Sequence, residues 1–259
     1  MSELSALISG RIIRLTGNCF KLLSYPFHWL FPHKRFEIPS VSKAKVTSRA
    51  SSKITKIIWQ TNYSAKCPLP VYLNYLFNRL MSLDFEYRYV STEEREEFIR
   101  QHAPARVYDA YIKLNDGAAQ ADLWRLITLN TYGGIYMDID ATLVWPLKFL
   151  IQPDSEAMYI TLDKNGHYTN FFLATAPNNP IYLDIINKIV DNIEHNRVSK
   201  GVYHLTGPMV LTHAIDKKEV ESKNRRYVAI QGTFTNEYFQ YIDKPQGKWI
   251  HKKPEDLLK

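Results

Sequence analysis

The chain has 259 residues, 45% hydrophobic and 13% aromatic, which suits one α/β domain with an appendage and supplies an ample core. Its formal charge of +7 is uneven: the first 56 residues hold ten Lys/Arg against two acids, the remainder 23 against 24. A near-neutral body argues against a nucleic-acid-binding face, whose positive charge must lie on the folded surface, and two cysteines, Cys19 and Cys67, make a disulfide framework unlikely and fit a reducing cytoplasm.

In chain order, residues 1–38 read as a basic amphipathic helical segment. Leu4, Ile8, Ile12, Leu15, Cys19 and Leu22 recur at helical spacing among Arg11, Arg14 and Lys21, and an aromatic stretch runs from Tyr25 to Phe31. No uncharged apolar run reaches the roughly 18 residues of a membrane span, and no small-residue cleavage site follows an apolar core, so neither a span nor a secretory signal is expected. A basic, aromatic-flanked helix suits an anionic membrane surface, here through residues 4–35. Packing on the body or on a second subunit is the alternative. Residues 39–53, small, polar and basic, read as a linker.

The body, 54–259, opens with a strand at Ile54–Gln60. A helix over Pro70–Ser82, a strand over Phe85–Val90 and a charged helix opened by the Ser91–Glu94 capping pattern follow. The run Glu93–Glu97 reads as a solvated face. Gly117–Tyr132 is a helix stopped by Gly133-Gly134, and Ile135–Ile139 is a short strand ending in acids. Later strands are expected at Ala157–Leu162, Phe171–Ala176 and Tyr227–Gln231, with helices over Pro180–Asn196 and from Pro208 to about Ala214. The alternation predicts an α/β fold, a mixed sheet flanked by helices, with ligands at strand C-termini.

The chemistry concentrates between Ala121 and Thr142. On an extended chain Asp138 and Asp140 point to one side, and two carboxylates make a hard oxygen site for Mn²⁺ or Mg²⁺. A metal placed there bridges diphosphate oxygens. Asp122 and Arg125 lie at i and i+3 of an otherwise apolar helix, where charge is costly without a partner. A sugar hydroxyl or phosphate is one partner; a mutual ion pair is the other. The Gly133-Gly134 turn brings that helix beside the strand end, so that both sets of charges can face one cleft.

Asp122-Leu-Trp-Arg125, then Tyr132-Gly-Gly-Ile-Tyr-Met-Asp-Ile-Asp140, resembles the sugar-binding region of the Asp-x-Asp glycosyltransferases of family 32, whose core the large clostridial glucosylating toxins share. Many relatives build bacterial capsule or lipopolysaccharide. Ile54–Thr61, Asn170-Phe-Phe-Leu-Ala and Thr206-Gly-Pro208 resemble further family blocks, so the likeness runs from about 54 to 251. It implies a GT-A-like fold and a retaining, metal-dependent transfer from a nucleotide-sugar, a UDP-sugar first, to a saccharide or lipid-linked acceptor in surface polysaccharide synthesis. It implies Asp122, Arg125 and Tyr136 at the donor, Asp138 and Asp140 at the metal and diphosphate, Trp59 stacked on uracil with Gln60 beside it, and Trp249 closing over the donor. The closing block Gly247–His251 departs from the family's pattern; His251 is the expected third metal ligand, with Asp243 behind it. With the membrane reading, the expected place is the cytoplasmic face of the cell membrane.

Two other classes compete. Asp138-Ile-Asp140-Ala-Thr142 also fits the nucleophile loop of haloacid-dehalogenase-type phosphatases, but no downstream acidic pair follows and 137 residues precede it. A non-catalytic sugar-binding module is the other, and the intact set Asp122, Arg125, Asp138 and Asp140 speaks against it.

Overall fold

The computed structural model describes residues 3–47, 51–162, 166–216, 218–245, 247 and 252–259. Its strands are β1 (Phe36–Glu37), β2 (Val41–Ser42), β3 (Ile57–Thr61), β4 (Lys66–Cys67), β5 (Glu86–Val90), β6 (Gly134–Met137), β7 (Ala141–Leu143), β8 (Ala157–Thr161), β9 (Tyr168–Thr175), β10 (Ser222–Asn224) and β11 (Ala229–Gln231). Its helices are α1 (Glu3–Leu30), α2 (Leu69–Leu80), α3 (Thr92–His102), α4 (Ala105–Lys113), α5 (Gly117–Tyr132), α6 (Pro180–Glu194), α7 (Val202–Leu205), α8 (Pro208–Ile215) and α9 (Glu237–Gln240).

Seven strands form one mixed sheet in the order β10-β8-β9-β6-β3-β5-β2. The centre is parallel, β6 beside β3 beside β5, and β9 runs antiparallel to both β6 and β8. Strand β3 is covered on both faces, as its nearly continuous apolar run requires. One face of the sheet carries α5, α6 and α8 on a core that includes Trp124, Ile185 and Leu211. The other face carries the cluster of Ile58, Val71, Tyr75 and Met158, to which α2 contributes. The expected mixed α/β sheet flanked by helices is therefore the observed architecture, with short antiparallel pairs β1–β4 and β7–β11 beside it.

Local signals explain the element ends. Ser91 and Glu94 form the reciprocal capping box of α3, and the Asp116 carboxylate accepts the Ala118 and Ala119 amides at the start of α5. Gly133 and Gly134 take φ of 66° and 104°. A Cβ on Gly134 would stand 2.6 Å from the Ile57 carbonyl oxygen, so only glycine lets β6 lie this close to β3.

One expectation is corrected and one alternative is met. The segment read as a linker is part of the fold up to residue 47. Val41 and Ser42 pair antiparallel with Arg88 and Tyr87 at the sheet edge, and the Lys45 and Val46 amides donate to the Leu83 carbonyl. The N-terminal helix is present as expected, and of the surfaces considered for it one face takes the body. It runs unbroken through Pro26 and buries Ala6, Gly10, Ile13, Gly17, Ser24 and His28 against the body. The apolar row seen in the sequence faces away: Leu4, Ile8, Ile12, Leu15 and Leu22 are each more than half exposed. No helix among the described residues is long and apolar enough to cross a membrane.

Candidate active site

A cleft of about 640 Å³ opens at the C-terminal ends of β3 and β6. Asp122, Arg125, Tyr136, Asp138 and Asp140 all line it, as do residues of the 231–247 segment. The structure thus brings together the two sets of charges that the Gly133-Gly134 turn was expected to join.

Asp138 and Asp140 do not sit on extended chain. They bracket a tight turn between β6 and β7, closed by the Ala141 amide donating to the Asp138 carbonyl at 3.0 Å. The turn is held from beneath by buried amides. Gln60 Nε2 donates to the Asp138 carbonyl at 3.0 Å, Asn74 Nδ2 to the carbonyls of Ile139 and Ala141 at 2.9 and 3.0 Å, and Asn78 Nδ2 to Ala141 at 2.8 Å. Asn74 and Asn78, at i and i+4 of α2, were invisible as site residues; two asparagines on one helix face were the only signal.

Arg125 links the two sets. Its guanidinium lies 3.1 Å from Asp122 Oδ1 and 3.3 Å from Asp138 Oδ1, donates to the Asn170 carbonyl at 2.7 Å, and stacks 4.2 Å from the Tyr136 ring centre. Tyr136 in turn donates its hydroxyl to Asp138 Oδ1 at 2.7 Å. Asp122 also accepts Asn170 Nδ2 at 2.8 Å and the Thr206 hydroxyl at 2.9 Å. Burial pushes its carboxyl up to about 7, while Arg125 and Thr206 pull it back. Three donors on two oxygens fit the ionised form. The blocks at Asn170 and Thr206 therefore converge on Asp122.

Asp140 accepts Gln231 Nε2 at 3.1 Å, and burial followed by the neighbouring Asp138 pushes its carboxyl up to about 6. Two carboxylates forced together in a half-buried cleft are the arrangement that a hard divalent cation relieves, so the residues fit a metal. Among the described residues no group of three His, Cys, Asp or Glu side chains could hold an ion. His251 and Trp249, the expected third ligand and donor cover, lie outside the described residues.

Three expected roles change. Trp59 is buried rather than presented to a base: its indole N–H donates to the Gly133 carbonyl at 3.0 Å and its ring packs on Trp124 and Tyr132. Gln60 points away from the cleft, taking the Tyr87 hydroxyl on its carbonyl oxygen and holding the turn with its amide. Asp243 is engaged by a bidentate Arg35 at 2.6 Å and is not free for a metal. The strand is buried on both faces, so Trp59 and Gln60 both serve the interior.

The far wall was unexpected. Residues 231–243 run along the cleft, supplying Gln231, Gly232, Asn236, Glu237, Gln240 and Tyr241, and α1 braces them from behind. Lys21 Nζ donates to the Gly232 carbonyl at 2.9 Å, Asn236 Nδ2 to the Tyr25 hydroxyl at 2.7 Å, and the Tyr25 ring stacks on Tyr238 at 5.8 Å.

Residues 70–158 match the family model described as "Glycosyltransferase sugar-binding region containing DXD motif", and Asp138 and Asp140 fall inside it. A protein named "Toxin" from Photorhabdus asymbiotica subsp. asymbiotica is 31% identical over 121 residues, 45% of this chain but only 4% of the toxin's length. Among solved structures, one described as PaToxG Glycosyltransferase superposes with a TM-score of 0.51 at 20% identity, covering 82% of this chain and 80% of that one. The UDP-bound glycosyltransferase domain of the YGT toxin aligns more loosely, at a TM-score of 0.38 and 15% identity over 62% of this chain and 56% of that one.

Proposed function

We propose that the chain is a glycosyltransferase of GT-A-like fold with a DXD sugar-binding region, performing a metal-dependent, retaining transfer from a nucleotide-sugar to a saccharide or lipid-linked acceptor of surface polysaccharide. The observation that carries this is the meeting of Asp138 and Asp140 with the Asp122–Arg125 pair in one cleft. Asp138 and Asp140 are the residues that would hold Mn²⁺ or Mg²⁺, which would supply charge neutralisation at the diphosphate. Asp122 orients the sugar through its hydroxyls, its own position fixed by Asn170 and Thr206. Arg125, preorganised by Asp122, Asp138 and Tyr136, stabilises charge developing at the departing phosphate. Asp122 is too fully engaged to act as a nucleophile, which supports attack by the acceptor on the face the nucleotide leaves, the leaving phosphate taking the acceptor's proton. The match to a toxin segment favours one further reading of the acceptor, a group in a target cell.

A panel of nucleotide-sugars, UDP-sugars first, scored for donor hydrolysis with Mn²⁺ tests the activity. EDTA is expected to abolish it, and Asp140→Ala to lower it on the order of 10³-fold. Full turnover in EDTA sinks the metal assignment.

The outward face of α1 supports a place as well as an activity: peripheral binding on the cytoplasmic face of an anionic membrane. Its apolar row, exposed Trp29 and Phe31, and exposed Arg11, Arg14 and Lys34 combine insertion with charge attraction. Flotation with phosphatidylserine vesicles at low salt is expected to carry the full chain upward. Protein left in the soluble fraction, whether monomeric or self-associated, overturns the membrane reading alone.

A further inference from the structure

Arg95 lies in the middle of the acidic run of α3, yet unlike Glu93, Glu94, Glu96 and Glu97 it is buried, 3% exposed, and it lines the cleft. It shares the inward face of the helix with Ile99, four residues on. Its Nη1 donates to the Gly117 carbonyl at 3.2 Å and its Nη2 to the Thr92 hydroxyl at 2.9 Å. A guanidinium carries five N–H donors, so three remain unspent, the buried Nε among them. Among the described residues no carboxylate pairs with it, and a second cation, Arg125, acts on it across the cleft wall.

The molecule holds a control for this arrangement. Arg79 is similarly buried, also lacks a carboxylate and also leaves its Nε unpaired, but it lies away from the cleft and gives its terminal nitrogens to three carbonyls, of Ser82, Phe85 and Lys43, while resting on the Tyr87 ring. Arg79 thus ties three loop carbonyls together. Arg95 ties one carbonyl and one hydroxyl and keeps the rest of its fork and its charge uncompensated beside an open cavity. Burying a cation without a counter-charge is unfavourable for the empty protein, and an anion entering the cleft removes that penalty. Arg125 is not equivalent, since Asp122 and Asp138 already balance it.

We propose that Arg95 is a donor-binding residue that holds an oxyanion of the nucleoside diphosphate at the α3 wall of the cleft. The assignment rests on the nucleotide-sugar reading above and adds to it a second cation, outside the matched Asp122–Arg125 and Asp-x-Asp elements. Thr92 and the Gly117 carbonyl act as its positioning partners, setting the fork before the ligand arrives.

Calorimetry of UDP, uridine and inorganic pyrophosphate with Mn²⁺, on the wild type and on Arg95→Gln, tests it, together with thermal melting of the ligand-free proteins. Arg95→Gln is expected to weaken UDP and pyrophosphate by about 10- to 100-fold, the range of a lost charge-assisted hydrogen bond, and to leave uridine within about twofold. The ligand-free variant is expected to melt no lower than the wild type, because an uncompensated charge has gone. Unchanged UDP affinity overturns the proposal, as does an equal loss for uridine, which would make Arg95 a reader of the base. Arg95→Met, of similar volume and uncharged, gives the same readings if the glutamine variant folds poorly, and unfolding of both marks Arg95 as structural and ends the proposal. A wild type that binds neither UDP nor pyrophosphate defeats the nucleotide-sugar reading itself, an outcome distinct from wild-type binding that Arg95→Gln preserves.

Discussion

Helices α1 and α5 are both long and apolar, and they dispose of their side chains in opposite ways. Along α5 the body swallows nearly every residue from Ala119 to Leu129, including Trp124, Leu123 and the Asp122–Arg125 pair. Along α1 the buried side is narrow and mostly small, Ala6, Gly10, Gly17 and Ser24 beside Ile13 and His28, while the long apolar row stays out. The difference lies in what stands opposite. Helix α5 is wedged between the sheet and α3, α6 and α7, a space that large side chains fill. Helix α1 lies on a finished surface, where a Cβ at Gly17 would come within 2.5 Å of the Thr233 methyl group, so the closest point of contact admits only glycine. Apolar periodicity tells which residues share a face; the opposing surface decides which face is inside.

Substitutions test that contrast. Trp124→Ala empties the centre of the α5 side and is expected to destabilise the chain by about 3–5 kcal/mol in urea unfolding. A cost under 1 kcal/mol would show that this core is not where the stability resides. Gly17→Leu forces α1 off Thr233 and Phe234 and is expected to cost about 1–3 kcal/mol. The same variant should raise the donor KM, since the displaced segment carries Gln231; an unchanged KM separates the brace from the cleft.

His28 probes the same contact by pH. It accepts the Leu69 amide on Nε2, and burial, with Arg35 nearby, lowers its pKa below the usual 6.5. The folded state therefore keeps it neutral, and its contribution is complete above about pH 6.5 and lost as pH falls through the lowered value. Melting temperature is expected to drop more steeply from pH 7 to 5 in the wild type than in His28→Asn, and parallel slopes would refute this. The smallest effect belongs to the outer row. Leu15→Ser should change stability by no more than about 0.5 kcal/mol while weakening vesicle binding, and a large stability loss would mean that this face is covered in solution.

Much of this was legible in advance because local signals agreed with the fold. The Gly133-Gly134 stop, the Ser91 capping pattern and the apolar run that opens the body each had one physical reading; Asp122 and Arg125 stood out as charges on an apolar helix, and Asp138 and Asp140 as acids at a strand end, though they lie on a turn and not on extended chain. What escaped depended on depth or on distant partners. Trp59 sits on a strand with both faces covered, so alternation did not tell a base platform from a core ring. Arg95 hid in a charge run, betrayed only by its four-residue offset from Ile99. The bracing of the cleft by α1 joins residues far apart in sequence and left no local trace.

That bracing also sets an order of events. Lys21 meets Gly232 across 211 positions of sequence, and Tyr25 and Arg35 find Asn236 and Asp243 across comparable gaps. Contacts of such separation close late, because the long loop must be ordered before they return any free energy. A growing chain thus makes α1 roughly 200 residues before the segment that it braces, leaving the buried stripe of α1 bare beside the apolar row until then, when exposed apolar surface invites aggregation. Asp140 meets Gln231 of the same segment across 91 positions. The cleft therefore reaches its final shape only when both far ends of the fold have met, which couples the birth of activity to the last step of assembly.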